Sequence, residues 1–220
     1  MCGRYTASAA QAVIEDYFGA EFPETHIPSY NASPGQYLPA ILDTEPAKIV
    51  PVLWGIKPSW GNHPSRLLIN ARSETVNQRP IFRKSFQKRR CLIVADGFYE
   101  WQATKAGKQP FRIALKTRRP FAFAGIWQEV DGESAYVILT TEANRVMRPI
   151  HERMPVILER ELLLPWLDPD LPEREALEFL GPCPAEAIMV YPVSRAVNSS
   201  KNQSPDLIEP LEVGDSGTET

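Results

Sequence analysis

Short apolar runs rich in β-branched and aromatic residues, broken by Pro, Gly and Asp, dominate the chain and predict strands rather than long helices. Such runs cover 48–55 (KIVPVLWG), 91–101 (CLIVADGFYEW), 110–116, 121–128, 135–141 and 187–193, with a shorter one from Met154 to Leu158. Pro51 inside the first cannot donate to a ladder, so that strand is expected at an edge or a bulge. Asp131-Gly132 between two runs is a hairpin signal.

Helical spacing is confined to a few places. Residues 8–19 put Val13, Ile14, Tyr17 and Phe18 on one face behind Ser8, a candidate N-cap. Residues 77–90 would turn Ile81, Phe82 and Phe86 inward, and Ser73 is a possible cap just upstream. Residues 142–147, 159–168 and 172–180 also read as helical, the last with Pro172 at its first position. Residues 21–36 and the stretch Lys57-Pro58-Ser59-Trp60-Gly61 read as loops, the second carrying an exposed aromatic.

The chain has 220 residues, is 43% hydrophobic and holds 21 prolines, which suits one domain with many loops. No run approaches the ~18 apolar residues of a membrane span, and the N-terminus does not read as a secretory signal. The three cysteines, Cys2, Cys91 and Cys183, have no paired spacing, so neither a disulfide framework nor a zinc site is expected, and a reducing interior fits. His151 heads the stretch His151-Glu152-Arg153-Met154, which is not a zinc-protease motif. His26 and His63 lie in loops.

Charge alters the picture twice. The net charge is −3, but residues 209–220 hold four acids and no base; the rest has 24 bases against 23 acids. That acidic tail is expected to be disordered. Residues 77–90 carry Arg79, Arg83, Lys84, Lys88, Arg89 and Arg90 without an acid. Such a run is most often a solvated face; it also suits a surface that follows phosphates.

The chemistry begins at Met1-Cys2-Gly3-Arg4-Tyr5. Methionine aminopeptidases remove Met1 before a small residue such as Cys. Cys2 would then carry a thiol and a free α-amine on one skeleton, with ordinary pKa values of about 8.5 and about 7.7–8.0. An aldehyde can form a Schiff base with the amine, and the thiolate can then close a five-membered thiazolidine. Glu100 stands among Phe98, Tyr99 and Trp101, a setting in which desolvation would raise a carboxyl's pKa.

The ordered set Cys2-Gly3-Arg4-Tyr5, Asn31-Ala32-Ser33-Pro34, Trp54-Gly55, Asn70-Ala71-Arg72 with Glu74-Thr75, Ala95-Asp96-Gly97-Phe98-Tyr99-Glu100-Trp101, Ile150-His151 with Arg153-Met154-Pro155, and Pro192-Val193-Ser194 resembles the SOS-response-associated peptidase (SRAP) family. The resemblance implies a single α+β domain over 1–208, built on a curved, barrel-like, mostly antiparallel sheet with peripheral helices. It implies binding of single-stranded DNA and covalent capture of abasic sites as a thiazolidine. Cys2 matches the crosslinking residue, with Asn70, Glu100 and His151 as its companions. Arg72 and Arg153 match phosphate contacts, with Arg4 as an assisting contact, and Trp60 is a candidate stacking residue. No cofactor or metal is expected, and a monomer is. Such a protein would sit in the cytoplasm with the nucleoid in a bacterium, or in the nucleus of a eukaryote.

Two other readings compete. One is a thiol peptidase, with Cys2 as nucleophile, His151 as base and Asn70 or Glu100 as orienter, in its narrowest form acting only to release Met1. The other is a non-covalent single-strand binder that does not need Cys2. The basic 79–90 segment with Arg72 and Arg153 favours a DNA-directed protein over a peptidase. On the covalent reading, weak lyase activity from the Schiff base is expected as a side reaction.

Overall fold

A computed structural model describes residues 2–58, 67–105 and 107–211. The first half holds Tyr5–Ala7 (β1), Gln11–Phe18 (α1), Ser29–Ala32 (β2), Tyr37–Leu42 (β3), Val50–Trp54 (β4), Asn70–Arg72 (β5), Pro80–Lys88 (α2), Arg90–Ala95 (β6) and Gly97–Thr104 (β7). Then come Gly107–Leu115 (β8), Phe121–Val130 (β9), Glu133–Glu142 (β10), Arg153–Pro155 (β11), Ile157–Leu158 (β12), Leu163–Leu167 (α3), Glu173–Glu178 (α4) and Ile188–Pro192 (β13).

Strands β10, β4, β3, β6 and β9 close on themselves, because β9 pairs with both β6 and β10. This five-stranded barrel is mixed: β10 runs parallel to β4 and, at its far end, to β5. A second, antiparallel sheet in the order β13-β8-β7-β1-β2 packs against it. The architecture is the α+β, barrel-like one expected.

Strict alternation sorts the barrel walls. Cys91, Ile93, Phe121, Phe123, Tyr136 and Ile138 turn into one core, where they meet Tyr5, Phe98 and Ile113 of the second sheet. Leu92, Val94, Ala122, Ala124, Val137 and Leu139 turn outward under Phe82 and Phe86 of α2 and Trp166 of α3. So few strands leave little room inside. A Cβ on Gly125 would lie 2.1 Å from Ile93 Cδ1 and 2.8 Å from Cys91 Sγ.

The 91–101 run, read as one strand, is two. It passes from barrel (β6) to second sheet (β7) at Asp96. There Asp96 accepts hydrogen bonds from Thr6 Oγ1, from the Ser8 amide (2.7 Å) and from Ser8 Oγ (2.8 Å), and forms a buried ion pair with Arg112 at 3.3 Å. Ser8 is thereby spent on this corner, so α1 starts later, with Ala10 as an N-cap that makes no side-chain bond. A Cβ at Gly97 would sit 2.7 Å from the Arg112 guanidinium, which the corner holds in place.

Other boundaries shift for local reasons. Residues 143–150 form turns rather than a helix, because Asn144 Oδ1 accepts from the Val146 and Met147 amides. Pro172 is the N-cap of α4 rather than its first helical residue. Pro51 is exposed opposite Pro39, and β10 meets β4 only at Leu53 and Trp54, so no ladder needs the missing N–H. Asp131 and Gly132 have φ of 54° and 84°, the two positive values a type I′ hairpin turn requires. Of the C-terminal segment, Pro210 bridges Val193 and the Leu211 amide donates to Pro192 O at 2.9 Å. Among the described residues no helix is long and apolar enough to cross a membrane, and no cluster of His, Cys, Asp and Glu suits a metal ion.

Candidate active site

Glu100 is placed by strand parity. On β7, Phe98 points into the core with Glu100 on the same face, and Glu100 is only 4% exposed. Tyr99 and Trp101 take the opposite face. The Tyr99 hydroxyl donates to Tyr30 O at 2.8 Å, and Trp101 Nε1 donates to Asn198 Oδ1 at 2.7 Å. The three aromatics adjacent in sequence therefore do not form one sleeve around the acid.

Cys2 leads into β1, which pairs with β7 through Tyr5 and Phe98, and the Tyr99 amide donates to Arg4 O at 3.0 Å. Cys2 is fully buried. Burial, and secondarily the charge of Glu100, push its thiol far above the ordinary range. Cys2 and Glu100 are thus electrostatic neighbours although 98 positions apart in sequence.

Asn70 comes from β5. Ala71 joins the outer core, so Asn70 and Arg72 share the other face of the strand. Asn70 Nδ2 donates to Cys2 O at 2.9 Å, and Asn70 Oδ1 is buried without a hydrogen-bond partner among the described residues. Arg72 is exposed on that same face. His151 closes the 143–150 turns, and its Nδ1 accepts the Arg153 amide at 3.0 Å. A neutral ring then carries its proton on Nε2.

A cleft of about 490 Å³ gathers Gly3, Arg4, Glu100, Trp101, Lys108, His151 and Asn198. Cys2 lies beside it in sequence and Asn70 is tied to Cys2 by hydrogen bond. Arg4 braces one wall: Nη1 donates to Asn31 Oδ1 (2.9 Å) and Val197 O (3.0 Å), and Nη2 to Asn198 O (3.4 Å).

Arg153 departs from the simple expectation of a phosphate fork. It is buried, and its two terminal nitrogens engage Glu74 at 2.9 Å each, with Nη2 also donating to Thr140 O at 2.5 Å. Trp60 and His63 lie outside the described residues. Lys108, Trp101 and Asn198 are cleft residues that reading the sequence did not assign. Lys108 arrives through the β7–β8 hairpin, where it faces Ala103, and Asn198 through a distant turn, so neither has a local signal.

The fold and site together define a barrel-based α+β domain whose second residue is a buried cysteine beside a mixed acid–base cleft. The family model described as SOS response associated peptidase (SRAP) matches residues 1–200, and the chain belongs to that family. It is 40% identical over 222 residues to the "Abasic site processing protein YoqW" of Bacillus subtilis (strain 168), covering 95% of this chain and 99% of that one. It is 34% identical over 227 residues to YedK of Escherichia coli (strain K12), which has the same description, covering 96% and 100%. The HMCES protein of Xenopus tropicalis, also described as abasic site processing, is 32% identical over 219 residues, covering 81% of this chain and 65% of that one. A solved structure from Bacteroides thetaiotaomicron shares the fold with a TM-score of 0.83 at 24% identity, covering 95% of this chain and 99% of that one.

Proposed function

We propose that this protein captures abasic sites in single-stranded DNA as a covalent thiazolidine on Cys2, once Met1 has been removed. One observation carries the proposal: the buried Cys2, anchored by Asn70 and electrostatically coupled to Glu100, adjoins a cleft that also holds Arg4, Lys108 and His151. The names of the relatives support it.

The chemistry runs as follows. Glu100 moves a proton between sugar oxygens, opening the hemiacetal to its aldehyde. The Cys2 amine adds to C1′, and the carbinolamine loses its hydroxyl as water, protonated by Glu100 or His151. The resulting iminium is held next to the Cys2 thiol. That thiol is protonated near neutral pH, so a base must take its proton as sulfur attacks C1′; Glu100 and His151 are both in the cleft. Amine, aldehyde and thiol become one ring, and one water leaves. Ring closure is intramolecular, where proximity helps most. β-Elimination from the iminium is the competing lyase path.

Arg72 and Lys108 supply cationic contacts to flanking phosphates, and Arg153 joins them only by exchanging Glu74 for a phosphate. The reading needs no metal or cofactor, treats 1–208 as a working monomer, and puts the protein with DNA, in a bacterial nucleoid or a eukaryotic nucleus. The peptidase reading draws on the family's description. A fully buried, strongly protonated thiol suits release of the adjoining Met1 better than turnover of outside peptides.

Intact mass spectrometry tests the ring. With an abasic single-stranded oligonucleotide, the adduct should be one water lighter than protein plus DNA and should survive denaturation untreated. An adduct that survives only after borohydride reduction would mean that the reaction stops at the Schiff base.

A further inference from the structure

The basic helix α2 is not at the cleft. Its Phe82, Ser85 and Phe86 are buried, and Phe82 and Phe86 pack on the outside of the barrel wall made by β6 and β9. Glu100, Trp101 and Lys108 of the cleft belong to the second sheet, which packs against the other face of that wall. The wall and the core behind it lie between the two surfaces. At ~10 Å per packed layer that is roughly 20 Å of protein.

The outer face of α2 is exposed and one-signed. Arg79, Arg83, Lys84 and Lys88 are all exposed. None of the four is in a salt bridge among the described residues. Glu173, the acid whose titration Arg83 influences, accepts instead from Asn77 (3.0 Å) and Gln87 (2.8 Å). Arg90, the sixth base of the run, is buried and structural: its guanidinium donates to Trp166 O at 2.8 Å and Phe86 O at 3.0 Å. Arg89 lies over the Trp127 ring at 5.1 Å. The exposed cations of the run without a carboxylate partner among the described residues are therefore those on the outer face, of which Lys88 also donates to Pro169 O at 3.3 Å. That face has no exposed large apolar side chain, which disfavours insertion into a lipid surface.

We infer that the outer face of α2 is a second phosphate-binding surface for the backbone of a nucleic-acid strand, separate from the cleft. This rests on the DNA-directed reading above for the identity of the polymer. Cations spaced along a helix of nine residues, about 13 Å long, suit a backbone that carries a charge every few ångströms. The protein would then hold long DNA at two places, one chemical and one electrostatic.

The test uses undamaged single-stranded DNA of about 10 and about 40 nucleotides at physiological salt, where the Debye length of about 8 Å screens a surface ~20 Å away. The variant is Arg83→Gln/Lys84→Gln/Lys88→Gln. Its affinity for the long strand should fall about tenfold and its salt slope by about 2, near 0.7 per charge removed, with the short strand unchanged within twofold. Each single substitution should lower the long-strand slope by about 0.7, which keeps the test valid if the triple variant folds poorly. Unchanged long-strand affinity, or equal losses on both lengths in the single variants, would overturn the inference. Crosslinking of an abasic 10-mer, followed in parallel, reports on the cleft chemistry alone, so failure of one reading is distinguishable from failure of the other.

Discussion

Asn70 holds the Cys2 carbonyl through its side-chain amide at 2.9 Å, while its own Oδ1 stays buried without a hydrogen-bond partner among the described residues. A buried acceptor left unmatched costs about 1–3 kcal/mol. We read this as a site prepared for the donor that removal of Met1 creates, the Cys2 amine. Asn70→Ala should slow crosslinking by about 10²-fold, the scale of a ~1 Å misplacement at a reacting centre. Binding of undamaged DNA should stay within about twofold of wild type. Equal losses in rate and binding would make Asn70 a structural residue only.

The Arg153–Glu74 pair predicts a trade between stability and binding. Hydrogen bonds from Arg153 hold the Glu74 carboxyl below its ordinary 4.5. A depressed carboxyl stabilises the fold above its unfolded pKa and loses that contribution as pH falls through the folded one. Glu74 is 45% exposed, so screening leaves only about 0.5–1 kcal/mol. Glu74→Gln should therefore be slightly less stable than wild type at pH 7, and the two should converge in acid, on chemical denaturation. With Arg153 released, DNA affinity should rise about threefold. Weaker binding by Glu74→Gln would show that Arg153 does not reach phosphate.

All three thiols are raised by burial, Cys183 to about 12 and Cys2 and Cys91 well above the ordinary range. Thiolate fraction, and with it alkylation, should be low in the native protein at pH 8 and rise about tenfold per pH unit. Unfolding should bring all three into the ordinary range near 8.5. Iodoacetamide labelling read by mass spectrometry checks this. A native thiol that titrates near neutral pH would contradict the burial of Cys2.

The Asp96 corner supports the site from behind. It accepts from Thr6 and Ser8 of the N-terminal strand region and pairs with Arg112, both side chains about nine-tenths buried. Asp96→Ala leaves a buried cation without its carboxylate, a loss of about 3–5 kcal/mol. The expected fall in melting temperature is about 10 °C, at ~2–4 °C per kcal/mol for a chain of this size. A fall under 2 °C would show that the corner is not structural.

Much of this was legible in the sequence, unevenly. Strands β4 and β6–β13, the Asp131-Gly132 turn and the inward side of α2 follow from apolar runs and turn chemistry, which are local. Strands β1, β2, β3 and β5 do not: β1, β2 and β5 are too short or too polar to show, and β2 lies in the stretch 21–36 read as a loop. The ordered motifs pointed to Cys2, Asn70, Glu100 and His151; of these Glu100 and His151 line one cleft, and Cys2, next in sequence to its Gly3, is held by a hydrogen bond from Asn70. What local patterns do not carry is parity and layering. They could not show that Tyr99 turns away from Glu100 to Tyr30, or that Ser8 leaves the helix for Asp96. Nor could they show that the basic run lies a barrel's width from the cleft. Arg153 beside His151 looked free because Glu74 is 79 positions away.

The most direct measurement is a denaturing gel of protein shown by intact mass to begin at Cys2, incubated with a single-stranded oligonucleotide bearing one abasic site. Cys2→Ala and an undamaged oligonucleotide serve as controls. The account predicts a heat-stable shifted band for wild type with the abasic strand alone, and none for Cys2→Ala although it still binds that strand. A band of equal strength from Cys2→Ala, or none from wild type that begins at Cys2, would contradict the central claim.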